Sequence, residues 1–320
     1  MFGKAFTALV ASVAFASGAV AQTWPAQPIK IIVGFPAGGA SDVAARLVAQ
    51  KMSERMGKAI VVENRAGAAG NVGADAVAKA APDGYTLLLG TISLSVNPSL
   101  YPKLPYDPIR DLAPISMISS TPFLLVVNPA SPYKTARELI DAARAPATPI
   151  HYATAGNGSG SHLFTEMLGS LAGIKLTHVP YKGAAPAMND VLGNTVPLTF
   201  DNVVTTLPLA KSGKLRALAV STKQRSKVAP DIPTLAESGV PSFDATAWFA
   251  LFAPAGTPRD IVMRLNREVA EALKDPAVND RFLQVGAEPV ASTPEELGAF
   301  FKSEVAKWGQ VVRSAKITID

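Results

Sequence analysis

The stretch IIVGFPAGGASD, residues 31–42, decides the fold class of this chain of 320 residues. Its first letters close an apolar run, Ile29–Gly34, which predicts a buried strand. The glycine-containing loop Phe35–Asp42 follows, and Ser41–Met56 then carries apolar residues at helical spacing up to a predicted stop at Gly57. A strand that passes through glycines into a helix is typical of α/β folds.

The same alternation of strands and helices continues along the chain and predicts an α/β fold with mainly parallel sheets. Two capping-box sequences, Thr135–Glu138 and Thr293–Glu296, indicate helix starts, and a helix that begins near Ser161 is predicted to end at Gly173. The further predicted strands are short apolar runs: Ala59–Glu63, Thr86–Gly90, Phe123–Val127, His151–Ala155, Lys175–Val179, Val196–Asp201, Leu215–Ser221 and Trp248–Ala253.

The N-terminus has the pattern of a secretory signal peptide. Lys4 supplies a positive charge, Ala5–Ala16 is nearly all small or apolar, and Ala19-Val20-Ala21 has the small residues that signal peptidase requires. We therefore expect residues 1–21 to be removed and the mature protein, beginning at Gln22, to be periplasmic. Since no other stretch approaches the roughly 18 apolar residues of a membrane span, we expect none in the mature chain.

The composition excludes several classes of function. There is no cysteine, hence no disulfide, no thiol nucleophile and no cysteine for lipid attachment. Three scattered histidines predict no metal site, and we expect no cofactor. Loss of Lys4 with the signal peptide lowers the formal charge from +5 to +4. That excess suits anionic ligands but is too small to indicate nucleic-acid binding.

Two loops between a strand and a helix are the candidate ligand sites, because open α/β sheets bind ligands at the carboxyl ends of their strands. They are Phe35–Asp42 and Gly156–His162. Each leads into a helix N-terminus, whose free N–H groups and partial positive charge suit a carboxylate. A diacid could be held at both ends by such a pair. Each loop could also be an ordinary turn, and Asp42 either caps its helix or accepts a hydrogen bond from the ligand.

Enzyme motifs fit the chain poorly. In the second loop, Ser161 stands where a dinucleotide fingerprint needs its third glycine, and neither loop ends as a P-loop does. The chain has no Gly-x-Ser-x-Gly elbow. A centre made of Ser159 or Ser161 with His162 would have poor geometry, because these residues share one helix turn. A hydrolase on an α/β sheet is therefore the least favoured interpretation, and we expect a protein that is not an enzyme.

Taken together, the motifs resemble those of the substrate-binding proteins of tripartite tricarboxylate transporters, also called Bordetella uptake gene (Bug) receptors. The resemblance runs from about Trp24 to Asp320. It rests on IIVGFPAGGASD (31–42), VVENRAGAAGNVG (61–73), AAPDGYTLLL (80–89), KLPYD (103–107), ATAGNGSGSHL (153–163), HVPYKGAA (178–185), FDN (200–202), GKLRALAV (213–220) and WFALFAPAGTP (248–258).

The resemblance implies a periplasmic binding protein of the Venus-flytrap kind, type II-like, with two doubly wound α/β lobes. The chain would cross between them near Phe123–Asn128 and Thr246–Phe252, which assigns 22–124 and 248–320 to the first lobe and 125–247 to the second. Such a receptor, expected to be a monomer, would deliver a small carboxylate to the membrane permease subunits of a tripartite tricarboxylate transporter. A periplasmic sensor that signals to a membrane kinase is the alternative.

The resemblance also implies ligand contacts from both lobes, the first-lobe loop holding a carboxylate partly through ordered water. After Thr91 the chain departs from the family pattern, because Ile92–Val96 replaces a Gly-Thr-His-Ala-like stretch, so the ligand's distal group is expected to differ. For His162 and Asp201 a structural role at a helix terminus stays the alternative, and Trp248 is expected to pack in the core or hinge. The implied contacts are Phe35, Ala37, Gly38, Gly39, Asp42, Thr91, Asn157, Gly158, Ser159, Ser161, His162, Asp201 and Asn202.

Overall fold

A computed structural model describes residues 24–144 and 149–318. The predicted signal peptide, residues 1–21, lies outside them. The strands are β1 (Ile29–Val33), β2 (Ile60–Asn64), β3 (Thr86–Thr91), β4 (Leu112–Thr121), β5 (Phe123–Val127), β6 (His151–Thr154), β7 (Thr177–Pro180), β8 (Leu198–Asn202), β9 (Arg216–Val220), β10 (Ala247–Pro254) and β11 (Glu288–Pro289). The α-helices are α1 (Ala40–Met56), α2 (Asn71–Ala78), α3 (Ile92–Leu100), α4 (Ala136–Arg144), α5 (Gly160–Ala172), α6 (Ala184–Leu192), α7 (Val203–Lys211), α8 (Arg259–Lys274), α9 (Pro276–Gln284) and α10 (Pro294–Ala315).

The strands form two sheets, one in each lobe. The six-stranded sheet has the order β11-β4-β10-β3-β1-β2, and the five-stranded sheet has the order β7-β6-β8-β5-β9. Neighbours are parallel only within β2-β1-β3 and β7-β6-β8, so the expectation of mainly parallel sheets is correct for only part of each sheet. Strands β5 and β10 each enter their sheet from the other lobe, at the edge where the parallel strands end. Each therefore runs antiparallel to the strand beside it, β8 for β5 and β3 for β10.

The first crossing between the lobes is a single residue, Pro122, between β4 and β5. Phe123 and Leu124, which the predicted boundary at residue 124 places in the first lobe, pair with β8 of the second sheet. Strand β4 was not predicted, because its ten residues include a proline and four polar side chains. Ser116 and Ser119 of this strand are nevertheless fully buried. Tertiary packing overrides its weak apolar pattern.

Helices cover both faces of each sheet. In the first lobe, α1, α8 and α9 pack on one face, and α2 with the first half of α10 packs on the other. In the second lobe, α4 and α5 cover one face, while α6 and α7 cover the other. This is the predicted arrangement of two α/β lobes. Within the described part of the chain, none of the helices is long and apolar enough to cross a membrane.

The last helix, α10, belongs to both lobes. Phe301 packs in the core of the first lobe, whereas Trp308 stacks on Phe164 of the second lobe with ring centroids 5.5 Å apart. The last turns of α10 fall within 248–320, which the prediction assigns to the first lobe, and their apolar side chains are buried against the second lobe. Halfway along the helix, the buried carboxylate of Glu304 accepts hydrogen bonds from the indole N–H groups of Trp308, at 2.9 Å, and Trp248, at 3.1 Å. Trp248 is buried, as predicted for a residue that packs at the hinge.

Candidate ligand site between the lobes

Four helices begin where strands end at the boundary between the lobes. They are α1 after β1, α3 after β3, α5 after β6 and α7 after β8. Asn202 at the end of β8 pairs with Phe123 at the first crossing, and Thr91 at the end of β3 pairs with Phe249 near the second. Since β1 is parallel to β3, and β6 to β8, all four strands end on the side of their sheet that faces the other lobe. The two loops predicted from the sequence, Phe35–Asp42 and Gly156–His162, thus lead into two of these four helix N-termini.

The loop of the first lobe is held in shape by the carboxylate of Asp42. This carboxylate accepts hydrogen bonds from the Gly38 N–H at 2.9 Å, from Arg46 Nε at 3.0 Å and from the Asn64 amide at 3.0 Å. The hydrogen bond from Arg46, with smaller help from Gly38 and Asn64, lowers the pKa of Asp42 to about 2 against a cost of burial. The carboxyl group is therefore ionised over the whole working range of pH, and its partners place Asp42 as a support of the loop.

Two glycines of the stretch 61–73, Gly70 and Gly73, pack against Gly34, which directly follows β1. A Cβ added to Gly34 would lie 2.7 Å from the Gly70 backbone, and one added to Gly73 would lie 3.0 Å from Gly34 Cα. Phe35 lies over Gly70, 3.1 Å from the position of an added Cβ. The sequence shows these glycines, but only the fold shows that they let α2 approach the loop that begins at Phe35.

Two serines hold the loop of the second lobe. Ser159 caps α5: its hydroxyl accepts a hydrogen bond from the His162 N–H at 3.4 Å and donates one to the Gly156 carbonyl at 2.7 Å. The Ser161 hydroxyl accepts from the Ala155 N–H at 3.0 Å and lies 3.0 Å from the Ser159 hydroxyl. Both hydroxyls therefore fix the path of the loop backbone.

A stack of aromatic rings lies beneath this loop. Nδ1 of His162 accepts a hydrogen bond from the Gly158 N–H at 3.1 Å, and its ring stacks on that of His178 with centroids 3.9 Å apart. Nε2 of His178 lies 2.6 Å from Oγ1 of Thr154, which in turn accepts from the Gly156 N–H. His178, which lies in the predicted strand Lys175–Val179, thus helps His162 to hold Gly156 and Gly158 of the loop.

Burial keeps both histidines neutral. It lowers the pKa of His162 to about 4, with the neighbouring His178 as a second cause, and burial also lowers the pKa of His178. Protonation would place a positive charge next to a second ring. It would also turn Nδ1 of His162 from an acceptor into a donor that faces the Gly158 N–H.

We expect the folded protein to lose stability in mild acid because of this pair. A histidine whose pKa is lowered by folding contributes fully above its ordinary pKa of 6.5, and the contribution is lost as the pH falls towards about 4, here roughly 3 kcal/mol for His162. The variant His162→Asn retains an acceptor near the Gly158 N–H but does not titrate. Urea unfolding from pH 7 to pH 4 should therefore show a shallower pH dependence for His162→Asn than for the wild type.

The exposed histidine His151 provides the matched control. Its variant His151→Asn should retain the wild-type pH dependence of the free energy of unfolding. Equal pH dependence in the wild type and in His162→Asn would show that the stack does not govern acid stability.

Two polar residues, Asp201 and Asn202, lie at the end of β8. Asn202 caps α7 by accepting from the Val204 N–H at 2.9 Å. One carboxylate oxygen of Asp201 accepts from the Asn202 N–H at 2.7 Å, and the other accepts from the Thr205 hydroxyl at 3.4 Å. Burial raises the pKa of Asp201, partly offset by these hydrogen bonds. These local hydrogen bonds fit the alternative in which Asp201 has a structural role at the start of α7.

The predicted contacts divide into groups that differ in exposure. Those that are exposed are Ala37, Gly38, Gly39 and Asn157. Those that are half-buried are Phe35, Gly158, Ser159, Asp201 and Asn202. Those that are buried are Asp42, Thr91, Ser161 and His162, and Thr91 caps α3 by accepting from the Ser93 N–H. The exposed group lies at the surface of the two loops, while the buried side chains hold the loops in shape. Within residues 24–144 and 149–318, no group of three or more acidic or histidine side chains is placed to hold a metal ion.

Known proteins with the same architecture are solute-binding receptors. Protein BugT of Bordetella pertussis is 42% identical over 306 residues, which covers 95% of this chain and 94% of BugT. Rpa4515 of R. palustris, solved with adipate, is 37% identical and superposes with a TM-score of 0.76, covering 92% of this chain and all of that one. A TctC solute-binding protein from Polaromonas, solved without ligand, is 28% identical with a TM-score of 0.84, covering 91% of this chain and all of that one.

A direct match to a family model shows the family to which this chain belongs. Residues 44–317 match the model of the tripartite tricarboxylate transporter family receptor, TctC. The relatives are receptors and not enzymes, so the interpretation as a hydrolase is rejected. The periplasmic-binding-protein fold and the expected resemblance are both confirmed. This chain is a member of the tripartite tricarboxylate transporter receptor family.

Proposed function

We propose that this protein captures a small carboxylate between its lobes and delivers it to the permease subunits of a tripartite tricarboxylate transporter. The observation that carries the proposal is the set of four helix N-termini, two from each lobe, at the interlobe boundary. Each presents free N–H groups and partial positive charge to an anion. The bound adipate of the R. palustris relative supports a carboxylate as the ligand.

Capture proceeds by closure of the lobes in this proposal. The chain superposes better on a ligand-free relative at 28% identity than on an adipate-bound relative at 37% identity. Because the better superposition is on a receptor solved without ligand, we infer that the lobes of this chain are arranged as in that empty receptor. A ligand that touches the loops of both lobes stabilises the closed arrangement and shifts the population towards it. A transporter could then distinguish the loaded receptor from the empty one.

We further propose that the mature protein is periplasmic, monomeric and begins at Gln22. The Ala19-Val20-Ala21 sequence supports this cleavage site. Mass spectrometry of the exported protein should give the mass of residues 22–320. An exported, functional protein that still carries Met1 would contradict the proposal.

A thermal-shift screen over organic acids tests the ligand class. An acid at about one hundred times its dissociation constant should stabilise the protein by roughly 2.7 kcal/mol. The methyl esters of the same acids retain the shape but lose the charge, and they should stabilise it far less. Chromatography of the mixture should show the acid unchanged after prolonged incubation. Equal shifts with acid and ester, or conversion of the acid by the protein, would contradict the proposal.

A further inference from the structure

A cavity of about 350 Å³ lies beside the first-lobe loop, between α1, α9, β10 and the beginning of α7. It is lined by residues of both lobes, including Gly38 from the first-lobe loop and Asn202 from the end of β8. Its volume is at the lower end of the range found for small-molecule sites, roughly 300–1,000 Å³. The cavity is therefore large enough for a hydrocarbon group and continuous with the candidate site.

The walls of this cavity are apolar. Among the described residues, no charged side chain lines it, and the polar side chains that do are Thr121 and Asn202. The side-chain oxygen of Asn202 already caps α7. The remaining walls include Val43 and Leu47 of α1 together with Phe249, Phe282 and Val285. A second carboxylate would lose its hydration here without gaining a charged partner. For an alkyl or aryl group, leaving water for this cavity is favourable.

The cavity begins at the N-terminus of α1. Ala40, the first residue of that helix, and Gly38, two residues before it, both line the cavity. A carboxylate at this helix N-terminus therefore has the apolar cavity directly beside it. Val204 of the second lobe also lines the cavity and is 41% exposed, so a group in the cavity would touch both lobes.

We propose that this cavity binds the hydrocarbon part of the ligand, and that the ligands of this receptor are carboxylates with an alkyl or aryl tail. The inference rests on the proposed function, because it takes the carboxylate to lie at the N-terminus of α1. Each methylene buried in such a cavity should raise the affinity roughly four-fold. The gain should stop once the cavity is full.

Calorimetric titration of straight-chain monocarboxylates from acetate to octanoate, with succinate and adipate beside them, tests the inference. For the wild type, affinity should rise with chain length, and a monocarboxylate should bind more tightly than the diacid of equal length. The variant Val204→Trp fills the cavity from the second lobe. It should lose the dependence on chain length but still bind the shortest acids.

Leu171→Trp is the matched control, because Leu171 is also an exposed apolar residue on a helix of the second lobe, 42% exposed and outside the cavity. It should behave as the wild type does. If Val204→Trp fails to fold, Val285→Asp places a charge in the same cavity and should weaken only the longer acids. Affinity that is independent of chain length, or a chain-length gain that persists in the folded variant, would overturn this inference. Failure of every carboxylate to bind would instead reject the proposed function.

Discussion

The variant Gly39→Val should fold as the wild type does and lose tight binding of carboxylates. Gly39 has φ −77° and ψ 170°, an extended conformation that valine adopts without strain. An added Cβ would meet only the Pro36 carbonyl, at the ordinary contact distance of 3.5 Å. The remaining methyl groups would stand at the N-terminus of α1 and keep a carboxylate away from its N–H groups. Losing one strong charge-assisted hydrogen bond costs about 3 kcal/mol, or roughly 150-fold in affinity.

Two further variants separate a blocked site from a damaged loop. Gly39→Ala adds only the tolerated Cβ and should bind with an affinity between the wild type and Gly39→Val. Gly38→Val should lose stability as well as binding, because φ at Gly38 is +83° and valine is strained there. Calorimetry reports the binding, and urea unfolding reports the stability. A folded Gly39→Val variant with wild-type affinity would show that the ligand does not lie at this helix.

The variant Glu304→Ala should have the largest effect on stability. It removes a buried carboxylate that accepts hydrogen bonds from the indoles of Trp248 and Trp308 and forms an ion pair with Lys307. Two buried N–H groups would be left without their acceptor at the point where α10 passes from one lobe to the other. Breaking a buried charged network of this kind costs about 3–5 kcal/mol. Urea unfolding, followed by tryptophan fluorescence, measures the loss.

Glu295 provides the matched control on the same helix. It forms an ion pair with Arg259, and both side chains are well exposed to solvent. The variant Glu295→Ala should therefore cost at most about 1 kcal/mol. Glu304→Gln retains an acceptor oxygen for an indole and should lie between the two alanine variants. A loss in Glu304→Ala no larger than that in Glu295→Ala would show that the buried carboxylate does not link the lobes.

Local signals predict much of this fold. The helix Ala40–Met56 ends at Gly57, whose φ of 62° is the left-handed conformation that its glycine indicates. The capping box at Thr293 forms as its sequence predicts. At the site, the glycine loops before α1 and α5 were also predictable, because glycines between a strand and a helix have few roles. Ser159 and Asn202 were expected as ligand contacts, and the structure adds that they cap α5 and α7.

Features that depend on contacts distant in sequence were not predictable. Strand β4 has a weak apolar pattern, and it forms because β10 and β11 pair with it. The passage of α10 into the second lobe depends on Trp308 meeting Phe164, which is 144 positions earlier in the chain. The stacking of His162 on His178 depends on the pairing of β6 with β7. No pattern within one segment of sequence contains these contacts.

Small-angle X-ray scattering tests most directly whether the lobes close on a carboxylate. The empty protein should scatter as an open two-lobed molecule. Saturation with an acid whose binding calorimetry has established should reduce the radius of gyration, and the methyl ester of that acid should leave it unchanged. A radius of gyration that stays the same at saturation, in a protein that is open when empty, would contradict capture by closure.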